Sequence, residues 1–153
     1  MPVVNLSDET ATAALAARIS ELAEAGDIIA LKGDLGTGKT TFARSFIRAR
    51  GSEEEVPSPT FTLVQIYELA PAAIWHFDLY RLKSPEEAWE LGIEDAFNEG
   101  ISLIEWPERL GPLLPRRRLQ IELLFGERPE TRCAVLDAGE NWQTRLSEIA
   151  ADA

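Results

Sequence analysis

The stretch IIALKGDLGTGKTTFARSFIRARG, from Ile28 to Gly51, leaves few folds open. An apolar run passes into a glycine-rich turn and then into a stretch with helical spacing. Phe42, Phe46 and Ile47 share one side of that stretch, and Gly51 stops it. Within it, Gly33 to Thr40 (GDLGTGKT) matches G-x-x-x-x-G-K-[ST] at every fixed position, with a strand before and a helix after. The residue types suit a phosphate. Gly33, Gly36 and Gly38 permit positive φ, so the loop, with Asp34, Leu35 and Thr37, can turn its N–H groups inward around an anion. The helix beginning near Lys39 aims its positive dipole end at the same point. Lys39 can reach the β- and γ-phosphates, and the Thr40 hydroxyl can ligate Mg2+. Thr41 follows as the next helical residue of the same loop.

Such a loop needs an acid near the metal and a group that orients the nucleophile. Two apolar strands end in acids, IWHFD at Asp78 and SLIE at Glu105. Either suits the metal, directly or through water, and either suits the attacking water. His76, the only histidine, reads as a packed residue near Asp78 and not as a catalyst. The segment VPSPTFTL, Val56 to Leu63, is stiffened by Pro57 and Pro59 and carries the hydroxyls of Ser58 and Thr60. Many P-loop nucleotidases have a loop sensing the γ-phosphate at this position. Guanine selectivity in GTPases uses an N-K-x-D element. None of Asn5, Asn98 and Asn141 precedes a lysine here, so ATP is expected over GTP.

The remaining pattern predicts an α/β fold with some antiparallel pairing. Val3 to Leu6 reads as a strand. Ser7 or Asp8 caps a helix through about Ala25, with Leu15, Ile19 and Leu22 on one face and Gly26 ending it. FTLVQIYEL and AAIWHFDLY read as an antiparallel pair, and SPEEAWEL as a helix capped by Ser84 with Pro85 at its first position. ISLIEW, LQIELLF and RCAVLDA read as strands, and ENWQTRLSEIA as a closing helix. The length of 153 residues suits one domain, residues 1–153. No apolar run reaches the roughly 18 residues that span a bilayer. A start without a basic, apolar leader and a lone cysteine, Cys133, together predict a cytoplasmic protein. The net charge of −11 disfavours direct grip on nucleic acid and favours a basic protein partner. The run Arg116 to Arg118 reads as a solvated turn before a strand.

In this order and spacing, GDLGTGKTTFARSFIRARG, VPSPTFTLVQIYE, HFDLYRL, ELGIEDAF and LIEWPERL resemble the TsaE (YjeE) family, small bacterial ATPases of the tRNA threonylcarbamoyladenosine pathway. The resemblance runs from about Leu6 to Leu110 and is weaker beyond. It implies a P-loop NTPase-like mixed central sheet flanked by helices, which binds ATP and Mg2+ and hydrolyses ATP slowly alone. It also implies work with TsaB and TsaD, resetting their complex between turnovers, with tRNA met only through that complex and no membrane. By the same resemblance Gly33 through Thr40 hold the nucleotide, Thr40 and Glu105 attend the metal, and Asp78 serves hydrolysis. Ser58 and Thr60 match the switch-like loop, Trp106 an aromatic beside the site, and Thr12 a residue near the base. A nucleotide-contacting arginine falls at Arg128 or Arg132. Two readings compete: a small-molecule P-loop kinase, with RLKSPEEAWELGIEDAF as a cover, and a non-catalytic ATP-dependent scaffold.

Overall fold

The protein is described by a computed structural model over residues 1–53, 56–57 and 62–151. Seven strands form one sheet in the order β1-β7-β6-β2-β5-β4-β3. These are β1 Val3–Leu6, β2 Ile28–Lys32, β3 Val64–Tyr67, β4 Ile74–Asp78, β5 Ile101–Glu105, β6 Leu119–Phe125 and β7 Arg132–Ala138. The four central strands, β6, β2, β5 and β4, run parallel to one another. β3 closes one edge antiparallel to β4, and β7 and β1 close the other the same way. The mixed sheet agrees with the α/β expectation, including the antiparallel pair.

Strand alternation divides the core. Ile29 and Leu31 of β2, Leu103 of β5 and Ile121 of β6 join Phe42, Phe46 and Ile47 of α2 (Lys39–Ala49) in one cluster. α1 (Glu9–Leu22) adds Leu15 and Ile19, and α4 (Gln143–Ala151) adds Leu146 and Ile149. The other face packs Ile28, Ile104 and Phe77 against Ala88, Leu110, and Ile93 and Ala96 of α3 (Ile93–Glu99). Among the described residues no helix is long and apolar enough to cross a membrane.

Of the two cap candidates Asp8 caps α1, its Oδ1 accepting from Ala11 N at 2.9 Å. Several boundaries differ from the sequence pattern. α1 ends at Leu22, short of Gly26, because the Asp27 carboxylate takes Glu24 N at 2.6 Å and pulls the chain into a turn. Arg145 of α4 meets the same carboxylate at 2.6 Å and pins that turn. SPEEAWEL forms a 3-10 helix, Pro85–Leu91, and Gly92 (φ 80) ends it and opens α3. Neither α3 nor the 3-10 segment Pro107–Leu113 was expected, since seven residues carry too little periodicity to read.

Trp75 packs where Gly92 and Gly100 leave room. A Cβ on Gly100 would stand 2.6 Å from Trp75 Cδ1 and 2.9 Å from the Ala73 carbonyl oxygen. The Gly100 backbone is extended (φ −113), so any cost of a side chain there is steric. Gly100→Ala is expected to destabilise the fold by about 1–3 kcal/mol through overpacking. Urea unfolding would read this as a lower midpoint with unchanged slope.

Candidate functional site

The turn between β2 and α2 takes the conformation that its glycines permit. Gly33, Gly36 and Gly38 have φ of 153, 84 and 106. A Cβ on Gly33 would lie 2.6 Å from Thr37 Oγ1 and 2.7 Å from the Leu123 carbonyl oxygen, so this position also needs the missing side chain. Thr37 braces the turn by donating its hydroxyl to Asp34 O at 2.8 Å. Gly38 caps α2 and, as a glycine, offers no side chain to accept from the first-turn amides.

Lys39 is 5% exposed and folds back over the turn. Its Nζ donates to Gly33 O at 2.5 Å and to Asp34 O at 3.0 Å, and sits 4.1 Å from the Trp106 ring centroid. Thr40 Oγ1 donates to Glu105 Oε1 at 2.9 Å. Asp78 and Glu105 are register partners across the parallel β4–β5 pair, and both are buried. Asp78 Oδ1 accepts from Tyr80 N at 3.1 Å. The lysine, the threonine and both acids line one cavity of about 830 Å³.

Thr12, Leu35, Gly36, Thr37, Gly38, Thr41 and Trp106 line the same cavity. Gly33 and Asp34 lie behind the turn, against a smaller space shared with Leu124 and Phe125. Arg132 lines the main cavity and Arg128 does not. The Arg132 guanidinium donates to Gly36 O at 3.1 Å and Thr37 O at 3.2 Å, and lies 4.9 Å from the Phe125 ring. Ser58 and Thr60 lie outside the described residues.

Tyr80 and Arg81 also face the cavity, as do Asp8, Glu9 and Glu130. No site role was read for them. For Tyr80 and Arg81 the signal was their place just past the end of β4, on the same side as the turn. Tyr80 and Trp106 meet at 5.0 Å between ring centroids. Trp106 holds φ 60, a left-handed value that costs a bulky residue about 1–3 kcal/mol. That bend turns the indole onto the Lys39 ammonium.

The structure superposes on the crystal structure of Bacillus subtilis YdiB with a TM-score of 0.81 at 29% identity, covering 99% of this chain and 94% of that one. The family model described as threonylcarbamoyl adenosine biosynthesis protein TsaE matches residues 6–133, past Leu110 and through β6. A TsaE protein of Rickettsia felis is 40% identical over 132 residues, 86% of this chain and 77% of the relative. One from Bacillus subtilis is 33% identical over 140 residues, 91% of this chain and 87% of the relative. Sheet order, turn and superposition define a mixed α/β protein of the P-loop NTPase-like class. Within that class the chain belongs to the TsaE family.

Burial pushes the Lys39 pKa below the ordinary lysine value, against the opposing pull of Glu105, Glu108, Asp78 and Asp34. A base with a lowered folded pKa is held less well as an ammonium by the folded chain than by the unfolded one. It therefore detracts from stability below its folded pKa, and the deficit fades as pH rises past that value toward the ordinary one. Lys39→Met is expected to be at least as stable as the wild type in urea at neutral pH, with the two converging in alkaline buffer. Clear destabilisation would mean that the bonds to Gly33 and Asp34 outweigh burial.

Proposed function

We propose that this chain is an Mg2+-dependent ATPase of tRNA threonylcarbamoyladenosine biosynthesis, whose hydrolysis resets a TsaB–TsaD complex between turnovers. One observation carries the reading: Lys39, Thr40, Asp78 and Glu105 converge on one cavity beside the start of α2. The cavity volume, about 830 Å³, suits a nucleotide. Family membership supports the pathway.

The donor set fits magnesium. Among the described residues no group of three or more His, Cys, Asp or Glu could hold a metal alone. Mg2+ asks for less, since one or two hard protein oxygens suffice when phosphates supply the rest. The Thr40 hydroxyl and the Glu105 carboxylate are such oxygens, already 2.9 Å apart. Bound there, the ion would neutralise charge on the β- and γ-phosphates.

The chain's own groups do the remaining work. The loop amides and the α2 N-terminus bind the phosphates. The Lys39 ammonium exchanges the carbonyls of Gly33 and Asp34 for phosphate oxygens, on which negative charge accumulates during transfer. Asp78, buried at the cavity wall, is the acid that serves hydrolysis by orienting the attacking water. Arg132 braces the loop through Gly36 O and Thr37 O and lines the cavity. The acidic exterior suits a protein partner better than bare tRNA.

Lys39→Ala and Asp78→Ala are each expected to lower phosphate release by about 10²-fold or more in a mixture with TsaB, TsaD, ATP and Mg2+. Full turnover by either variant would refute the assignment. If a variant that binds ATP without cleaving it still supports many rounds of tRNA modification, the protein is a scaffold. Labelled phosphate on a small acceptor in place of water would make it a kinase.

A further inference from the structure

His76 is fully buried in the middle of β4 and is the chain's one histidine. Alternation along β4 puts Ile74, His76 and Asp78 on one side of the sheet. In β5 the corresponding side carries Ile101, Leu103 and Glu105, facing the cluster that contains α2. From there His76 Nε2 approaches Glu105 Oε2 to 2.6 Å, while Thr40 Oγ1 donates to the other oxygen, Oε1. One carboxylate is thus held at both oxygens by groups from two different elements.

The second ring nitrogen assigns the proton. His76 Nδ1 is buried and meets no hydrogen-bond partner among the described residues. A proton there would be an orphan donor, so the geometry favours the tautomer with its proton on Nε2, donated to Glu105.

We infer that His76 is a positioning residue for the phosphoryl-transfer site, acting through Glu105. By holding Oε2 it fixes the rotation of the carboxylate and keeps Oε1 turned toward Thr40. The inference rests on the proposed reading of Glu105 and Thr40 as metal-facing oxygens. Its physical content is independence. When Glu105 Oε1 turns to a cation beside Thr40, its bond to the Thr40 hydroxyl no longer fixes the carboxylate, and a flexible glutamate held only there would lose its orientation. The bond to His76 does not depend on that hydroxyl. Groups that orient a metal-associated carboxylate in this way contribute about 10–100-fold to metal affinity or activity.

Two measurements decide the matter. The first is nitrogen-15 NMR of the unliganded protein, in which a lone histidine gives one pair of ring signals. Nε2 is expected to be protonated and Nδ1 bare, with both signals moving in Glu105→Gln. A proton on Nδ1 alone, or ring signals indifferent to Glu105→Gln, would overturn the pairing. The second is calorimetry of a non-hydrolysable ATP analogue, with and without Mg2+, on wild type, His76→Leu and His76→Gln, each checked for cooperative thermal unfolding. His76→Leu is expected to lose about 10–100-fold of the affinity that Mg2+ confers, with magnesium-free affinity unchanged. His76→Gln carries an amide donor at similar reach and is expected to recover most of it. Equal magnesium response in wild type and His76→Leu would sink the role of His76 alone. So would an equal loss with and without Mg2+, which marks general packing, or a His76→Gln no better than His76→Leu. A wild type without any magnesium response would remove the ATPase reading and this role together.

Discussion

The parallel register of β2, β5 and β4 is the constraint on which the site depends. It pairs Leu31 with Glu105 and Glu105 with Asp78, so two acids and the end of the strand leading into the turn share one level. A slip of one residue would send Glu105 to the opposite face of the sheet. The register is held by burial on both sides. Ile29, Leu31, Leu103 and Ile74 fill one core, and Ile28, Ile104 and Phe77 fill the other. Apolar packing within the two cores thus sets where the carboxylates stand. Each such side chain contributes about 1.5–3 kcal/mol of burial, several times what an exposed ion pair at the site could offer.

The electrostatics follow from that placement. Four acids surround one buried ammonium, yet burial still lowers the Lys39 pKa. The ammonium resolves the tension by meeting two carbonyls and an indole face, so no desolvated charge is left bare. Trp106 reaches that position through a left-handed backbone, local strain of the kind that gathers at sites where geometry matters more than stability.

Legibility in the sequence divided along the range of the interactions. The glycine-rich turn and the strand and helix around it are local, and each was readable from spacing alone. Strand existence was readable too, because buried runs such as ISLIEW have few alternatives. The adjacency of Asp78 and Glu105 was not, because it follows from a strand order that no single segment encodes. Nor was the His76–Glu105 contact, which joins residues 29 positions apart across that pairing. Arg132 lies against the turn because β7 begins there, and only the β6–β7 register separates it from Arg128. Of the 3-10 segments on the second face, Pro85–Leu91 was readable as a helix without its type and Pro107–Leu113 was not readable, since short helices are set by caps such as Gly92 and by packing, not by periodicity.

Several arginines bond backbone carbonyls at loop and helix ends. Arg50 donates to Ser20 O and Ala23 O, Arg117 to Gly26 O and Phe97 O, and Arg44 to Val56 O. Arg118 holds Pro115 O and Gln120, and Arg145 holds Leu22 O and Asp27. Guanidinium groups suit this work because one fork satisfies two acceptors. The run Arg116 to Arg118 is the solvated turn before a strand that the sequence suggests, and two of its members also clamp backbone carbonyls from the surface. Each guanidinium keeps its charge while it bonds these carbonyls, so the outer field follows the net charge of −11. A polyanion would meet that field as a barrier, whereas a basic protein surface would be drawn to it before any contact forms.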